Sequence, residues 1–424
     1  MIEVRPPGDK SISHRALLFA AVAGGLSRIR GLGDGEDVRS TARVVQGLGV
    51  DVELVDGPHG LDARIDPGDG PATPTHVLDC GNSGTTARLM AGLIVGLGLS
   101  ARLDGDESLR ARPMRRIVYP LQAMGARIEY LGAPDRLPFA ISRRATGSLR
   151  TLKHRPRVAS AQVKSAILMA GVLDGVAVEI REPGLSRDHT ERLLAALGAP
   201  VRAEGPVVLF EPDGWDGRLD AIELDVPGDP SSAAFVTGAA LLTGRPVGIR
   251  HVSGNPTRTG FLEVLRTMGA DIERSHVATR CGEPVEDWVV RPPARLDPFD
   301  VGGDDIPALI DELPLLAALA ARADGQSRIR NADELRVKES DRIRGLAENF
   351  TEIGVAATET EDGLVIEGGT AGLSGRVDPR GDHRIAMAFG VLGTAPDTDL
   401  RHADPDCAAV SYPRFWADLE SFLE

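Results

Sequence analysis

Two kinds of apolar pattern alternate along the chain. The first comprises "SISHRALLFAAVAGG", "NSGTTARLMAGLIVG", "SAQVKSAILMAGVLDG", "SSAAFVTGAALLTG", "IDELPLLAALAARADG" and "DHRIAMAFGVLGT". After a polar start, each is apolar nearly all round, which predicts a buried helix. The second comprises "ARVVQGLGVDVEL", "IVYPLQAMGARIEYL", "TERLLAALGAPVRA", "FLEVLRTMGADIE" and "IRGLAENFTEIGVAAT". Here one face is apolar and the other charged. A glycine follows (Gly49, Gly125, Gly198, Gly269, Gly354), then a strand-like run. This predicts an outer helix closed by a C′ glycine. The terminal "YPRFWADLESFLE" reads as a sixth outer helix with its strand missing.

The repeat recurs at roughly 70–85 residues, longer than a solenoid repeat. The chain therefore reads as six copies of one unit: buried helix, strand, outer helix, strand, with further strands between. A Pro/Gly-rich stretch at Val226–Ser232 reads as a hinge between two domains of three copies each.

Size agrees, because 424 residues exceed one ordinary core. The chain is 42% hydrophobic, 26% charged and only 4% aromatic, with a formal charge of −14. That charge argues against nucleic acid or an anionic membrane as partner. Three scattered cysteines, Cys80, Cys281 and Cys407, suggest neither a disulfide framework nor a zinc site and fit a reducing cytoplasm. The start "MIEVRPPGDK" does not read as a signal peptide, and the apolar runs are short for a bilayer.

The candidate chemistry lies where the buried helices begin. Lys10, Ser11, Ser13 and Arg15 open the first, and Asn82, Ser83, Gly84, Thr85 and Arg88 the second. Ser160, Gln162 and Lys164 open the third, and Asp382, His383 and Arg384 the sixth. A helix start already carries partial positive charge, so added cations there are unfavourable unless an anion belongs between them. Small hydroxyl residues and glycine leave the backbone N–H groups open to phosphate or carboxylate. Two loops before outer helices are also charged. "SLRARPMRR" carries Arg110, Arg112, Arg115 and Arg116, and "DELRVKESDRIRGL" carries Lys338, Glu339 and Arg342. Taken singly, such runs read equally as solvated helix faces. Asp311, opening an apolar helix, reads equally as a first-turn acid. Phosphate-loop, dinucleotide, zinc-protease and G-x-S-x-G motifs are all missing.

Seven segments in order, "PGDKSISHRALLFAAVAGG", "GNSGTTARLMAGLIVG", "RPMRRIVYPLQAMGA", "SAQVKSAILMAG", "LSRDHTERLL", "LRVKESDRI" and "GDHRIAMAFGV", together resemble the EPSP synthase (3-phosphoshikimate 1-carboxyvinyltransferase) family of enolpyruvyl transferases. The resemblance implies an α/β fold of two domains, each of three βαβαββ-type repeats, with the buried helices pointing into the interdomain cleft. It places residues 10–226 in one domain and residues 1–9 with 227–424 in the other, with hinges near 8–11 and 226–232. The implied reaction moves the enolpyruvyl group of phosphoenolpyruvate to the 5-hydroxyl of shikimate 3-phosphate, in aromatic amino acid biosynthesis. It needs an acid, a base and clamps for two phosphates and two carboxylates. No metal or organic cofactor is expected, and the protein is expected to be a cytoplasmic monomer.

Residue by residue, the resemblance assigns Lys10, Ser11, Arg15, Ser160, Ala161, Gln162, Ser186, Arg187, Asp311 and Lys338 to shikimate 3-phosphate. It assigns Lys10, Gly84, Arg112, Gln162, Arg342 and Arg384 to phosphoenolpyruvate. Its catalytic residues are Asp311, the base for the 5-hydroxyl, Glu339, which handles the proton at the methylene carbon, and Lys10, which contacts both substrates. Gly84, where an Ala methyl would crowd glyphosate, implies sensitivity to that inhibitor.

Three positions depart from some members. Ala161 stands for a second serine. "SRDH" stands for Ser-Lys-Pro-Tyr, giving Arg187 part of a phosphate contact made elsewhere by Ser186. Val410 stands for a C-terminal lysine. The sister UDP-N-acetylglucosamine enolpyruvyl transferases usually carry a reactive cysteine in the loop that here reads "SLRARPMRR". An RNA-end-processing enzyme of related topology should be more basic.

Overall fold

The computed structural model describes residues 1–144 and 147–423. The alternating runs after the outer helices pair as antiparallel strands, as Asp51–Gly57 does with Gly60–Asp66. Val52, Leu61, Ala63 and Ile65 are buried while Glu53 and Arg64 stay exposed, the period of two expected of a half-buried sheet.

The chain divides into two compact units. One comprises Gly8–Val226 with Thr279–Glu283, and the other Met1–Pro7, Pro227–Ala278 and Pro284–Glu424. The first boundary falls between Pro7 and Gly8. Gly8 and Asp9 therefore go with the helix that Asp9 caps, two residues earlier than the division expected at residue 9. Each unit has its own hydrophobic core.

The first unit holds three four-stranded sheets of one design. A first strand runs parallel to a second, a fourth is antiparallel to the second, and a third lies outside the fourth. In the middle sheet these are Leu78–Asp79, Ala101–Asp104, Phe139–Ser142 and Arg127–Tyr130. An inner helix joins the first strand to the second, and an outer helix joins the second to the third. The three inner helices are Lys10–Ala20, Gly84–Gly96 and Ala161–Asp174. Leu17, Leu18 and Phe19 are fully buried, each worth about 1.5–3 kcal/mol on leaving water. Gly92 lets two inner helices touch backbone to backbone, since a Cβ there would sit 2.3 Å from the Ala166 carbonyl oxygen.

The second unit repeats the design twice, around the inner helices Pro230–Thr243 and Leu313–Ala320. A third copy is shorter among the described residues. Ser374–Val377 and Asp399–His402 form a two-stranded sheet around His383–Leu392, and the outer helix Phe415–Glu420 is the last described element. The sixth, cut-off copy read in the sequence is this one.

The five C′ glycines all have φ between +86° and +105°, the left-handed conformation that closes a helix. Two sheets borrow their first strand from far away. Glu223–Asp225 pairs with Arg28–Arg30, and Ile2–Val4 pairs with Val247–Ile249.

Candidate active site

In the first unit the starts of the inner helices are stitched together by side chains. Gln162 donates from Nε2 to Thr85 Oγ1 at 3.0 Å and accepts from Arg88 Nη1 at 2.6 Å, joining the second and third helices. Arg15 joins the first to the third. It donates from Nη2 to Ser165 Oγ at 2.8 Å, from Nε to Thr190 Oγ1 at 2.7 Å, and from Nη1 to the Ser11 carbonyl at 2.9 Å. His14 Nδ1 lies 2.6 Å from Thr41 Oγ1, which lies 2.6 Å from Thr86 Oγ1 on the second helix.

Arg15 is only 3% exposed, and its hydrogen bonds all go to neutral oxygens; among the described residues it has no ion-pair partner. Burial pulls its pKa down to about 10, partly opposed by Glu191 and Asp9, and the nearby charge of Arg187 lowers it further. A buried guanidinium in this state gains from an arriving anion. The Ser11 and Ser160 hydroxyls have no hydrogen-bond partner among the described residues. Ser160 is the N-cap residue of its helix, yet its side chain caps nothing. Lys10 Nζ lies 3.2 Å from Asp37, with 24% of its side chain exposed.

Of the four arginines in "SLRARPMRR", Arg110 pairs with Asp104 and Arg115 lies 3.9 Å from Asp135. Arg112 turns to the second helix, donating to Asn82 Oδ1 at 2.7 Å. Gly84 lies under two guanidinium groups: a Cβ there would sit 2.8 Å from Arg88 Nη1 and 3.5 Å from Arg112 Nη1. Ser186 differs from expectation in one respect. It donates its hydroxyl to Glu182 Oε2 at 2.7 Å, so it is not a free donor.

In the second unit the sequence-nominated residues also meet at helix starts. Asp311 lies in the turn before Glu312, the residue that precedes the helix Leu313–Ala320, and so does not itself cap that helix. Arg342 Nη1 stands 3.6 Å from the Asp311 carboxylate, Arg384 Nη2 3.6 Å and Lys338 Nζ 3.9 Å. Arg342, 1% exposed, donates from Nη2 to Glu339 at 2.7 Å and from Nε to Asp382 at 2.8 Å. Its Nη1 makes no hydrogen bond among the described residues. Burial alone would raise the Asp382 pKa and lower that of Arg342. The pair overrides this, holding Asp382 low and Arg342 high. Lys338 is lowered, by burial first, with Asp311 opposing and Arg342 adding to the effect. Arg384 donates to the Asp311 carbonyl at 2.8 Å and to Ser231 Oγ at 3.4 Å. Ser231 also donates to Glu312 and accepts from Arg258 at 3.0 Å. Val410 ends the turn Pro405–Val410 and brings no charge.

The sequence reading missed Ser165, Thr190, Glu182, Arg258 and Glu312. Each sits in a helix or turn whose local pattern gives no sign of what it faces.

Fold and site define the class: a six-repeat α/β protein with basic groups and carboxylates gathered at the starts of its inner helices. The profile of the EPSP synthase (3-phosphoshikimate 1-carboxyvinyltransferase) family matches residues 2–419. The chain is 45% identical to the 3-phosphoshikimate 1-carboxyvinyltransferase of Synechococcus sp. RCC307, over 98% of this chain and 95% of that one. It is 46% identical to that of Thermus thermophilus, over 98% and 95%. The solved EPSP synthase of Acinetobacter baumannii superposes with a TM-score of 0.86 at 36% identity, covering 99% of this chain and 95% of that one. The chain belongs to the EPSP synthase family.

Proposed function

We propose that this chain transfers the enolpyruvyl group of phosphoenolpyruvate to the 5-hydroxyl of shikimate 3-phosphate, yielding 5-enolpyruvylshikimate 3-phosphate and phosphate. The observation that carries the proposal is the setting of Asp311: a carboxylate with Lys338, Arg342 and Arg384 at 3.6–3.9 Å, and with a second carboxylate, Glu339, on the same Arg342.

Asp311, held among these three cations, accepts the proton of the 5-hydroxyl as its oxygen attacks C2 of phosphoenolpyruvate. Glu339 delivers a proton to the methylene carbon and takes one back when phosphate leaves. The anionic ends of phosphoenolpyruvate fall to Arg342, Arg384, Arg112 and Lys10, with Gly84 leaving room and Gln162 alongside. Shikimate 3-phosphate falls to Lys10, Ser11, Arg15, Ser160, the backbone at Ala161, Gln162, Arg187 and Lys338. The unpartnered hydroxyls of Ser11 and Ser160 and the ion-pair-free Arg15 support this division. Ser186 directs its hydroxyl proton to Glu182, so toward the substrate it acts as an acceptor, for a ring hydroxyl and not for the phosphate. Glyphosate, an anionic mimic of phosphoenolpyruvate, competes at the Gly84 end.

Both residue sets belong to one chain, which supports a monomer as the working unit. Three free cysteines support a reducing, cytoplasmic setting. Among the described residues no helix is long and apolar enough to cross a membrane.

The test is phosphate release from purified protein given shikimate 3-phosphate and phosphoenolpyruvate, with each substrate omitted in turn. Release that requires both is expected. Release with UDP-N-acetylglucosamine in place of shikimate 3-phosphate would overturn the assignment.

A further inference from the structure

Three of the chain's most buried charges form a triad that the reaction itself does not use. Lys164 Nζ lies 2.8 Å from Glu182 Oε2 and 2.7 Å from Glu191 Oε1, and each of the three residues is at most 4% exposed. Glu182 follows the strand Val178–Arg181, and its backbone N–H is held by the Pro206 carbonyl at 2.9 Å. Its two oxygens reach different segments. Oε1 accepts from the backbone N–H of Ser160 at 2.7 Å, and Oε2 accepts from the hydroxyl of Ser186 at 2.7 Å. One carboxylate thus ties down two of the three serines assigned above to the acceptor substrate.

We propose that Glu182 is a positioning residue for shikimate 3-phosphate: it fixes Ser160 and Ser186 while Lys164 offsets part of its charge. The inference rests on the reading under Proposed function. The bond from Ser160 N–H to Glu182 holds the Ser160 backbone extended, at φ −153° and ψ 108°, and leaves its hydroxyl free. The bond from Ser186 holds the loop that carries Arg187. A bare carboxylate beside a phosphate would repel it, and Lys164, shared with Glu191, weakens that repulsion. Lys164 also ties the helix Ala161–Asp174 to His189–Ala196, whose Ser165 and Thr190 hold Arg15.

The site requires a carboxylate, because all three partners of Glu182 are donors. An amide of the same shape can accept on one side only. In Glu182→Gln the amide oxygen goes to Lys164 and the NH2 group meets the Ser160 N–H, so Ser160 must move while the fold is kept.

The experiment is steady-state kinetics on the wild type, Glu182→Gln, Ser160→Ala and the double variant, each substrate varied in turn. Glu182→Gln is expected to raise KM for shikimate 3-phosphate about tenfold, with KM for phosphoenolpyruvate within about twofold. Its effect and that of Ser160→Ala should be non-additive, since the amide oxygen that keeps Lys164 also keeps Ser186 and Glu182→Gln acts by displacing Ser160. Unchanged KM values would overturn the inference. So would equal rises for both substrates, which indicate general loosening. A wild type without turnover would overturn the transferase reading, and this inference with it.

Discussion

Acid should destabilise the first unit through His14. The ring is fully buried, Nδ1 lies 2.6 Å from Thr41 Oγ1, and Nε2 has no hydrogen-bond partner among the described residues. Burial drives its pKa down to about 3; Asp37 opposes this, while Lys10 and Arg15 add to it. At pH 5 the folded ring is therefore neutral, while an unfolded histidine near 6.5 is mostly protonated. The unfolded state binds the extra proton, so stability rises with pH between about 3 and 6.5 and is lost on acidification. The loss runs at about 1.4 kcal/mol per pH unit, or about 2 kcal/mol at pH 5 relative to neutrality. This figure holds for any folded pKa well below 5. The assay is urea unfolding of the wild type and His14→Asn at pH 7.5 and pH 5.0. Asparagine keeps a polar atom near Thr41 but does not titrate. The void it leaves costs the same at both pH values and cancels in the difference. The wild type should lose about 2 kcal/mol more than the variant over this interval. Equal losses would refute the reasoning, since the ring would then titrate alike in both states.

Gly84→Ala places a methyl 2.8 Å from Arg88 Nη1 and strains its bond to Gln162. KM for phosphoenolpyruvate should rise about tenfold, equivalent to about 1.4 kcal/mol. Glyphosate inhibition should weaken at least as much, with kcat held within about threefold; inhibition curves at fixed phosphoenolpyruvate check this. Asp311→Asn should lower kcat by about 10² to 10⁴ while calorimetry still shows shikimate 3-phosphate binding. Lys164→Met leaves Glu182 and Glu191 buried without their cation and should cost about 3–5 kcal/mol in urea unfolding.

Much of the fold is legible in the sequence because its signals are local. A segment such as "SSAAFVTGAALLTG" has nowhere to go but the interior, and Gly269 or Gly354 marks where an outer helix must stop. The pairing of Glu223–Asp225 with Arg28–Arg30 leaves no such trace. It joins strands far apart in the chain through backbone groups that every sequence has. The site divides the same way. Lys10 and Arg15 stand out because cations at an apolar helix start are costly without a purpose. Arg258, 1% exposed and bonded to Asp229 and Ser231, sits in "NPTRTG", which reads as an ordinary turn. Ser186 was legible as a hydroxyl near the site, but the direction of its hydrogen bond depends on Glu182, in a different segment. Side-chain type is written in the sequence; which partner takes a proton depends on the fold.

The measurement that bears most directly on the central claim is a single-turnover reaction, protein in excess over both substrates, followed by phosphorus NMR. The account predicts that the phosphoenolpyruvate signal converts one for one into inorganic phosphate. The shikimate 3-phosphate signal should shift to that of its enolpyruvyl ether in equal amount, and neither change should occur with one substrate missing. Phosphate released from phosphoenolpyruvate with the shikimate 3-phosphate signal unmoved would contradict it.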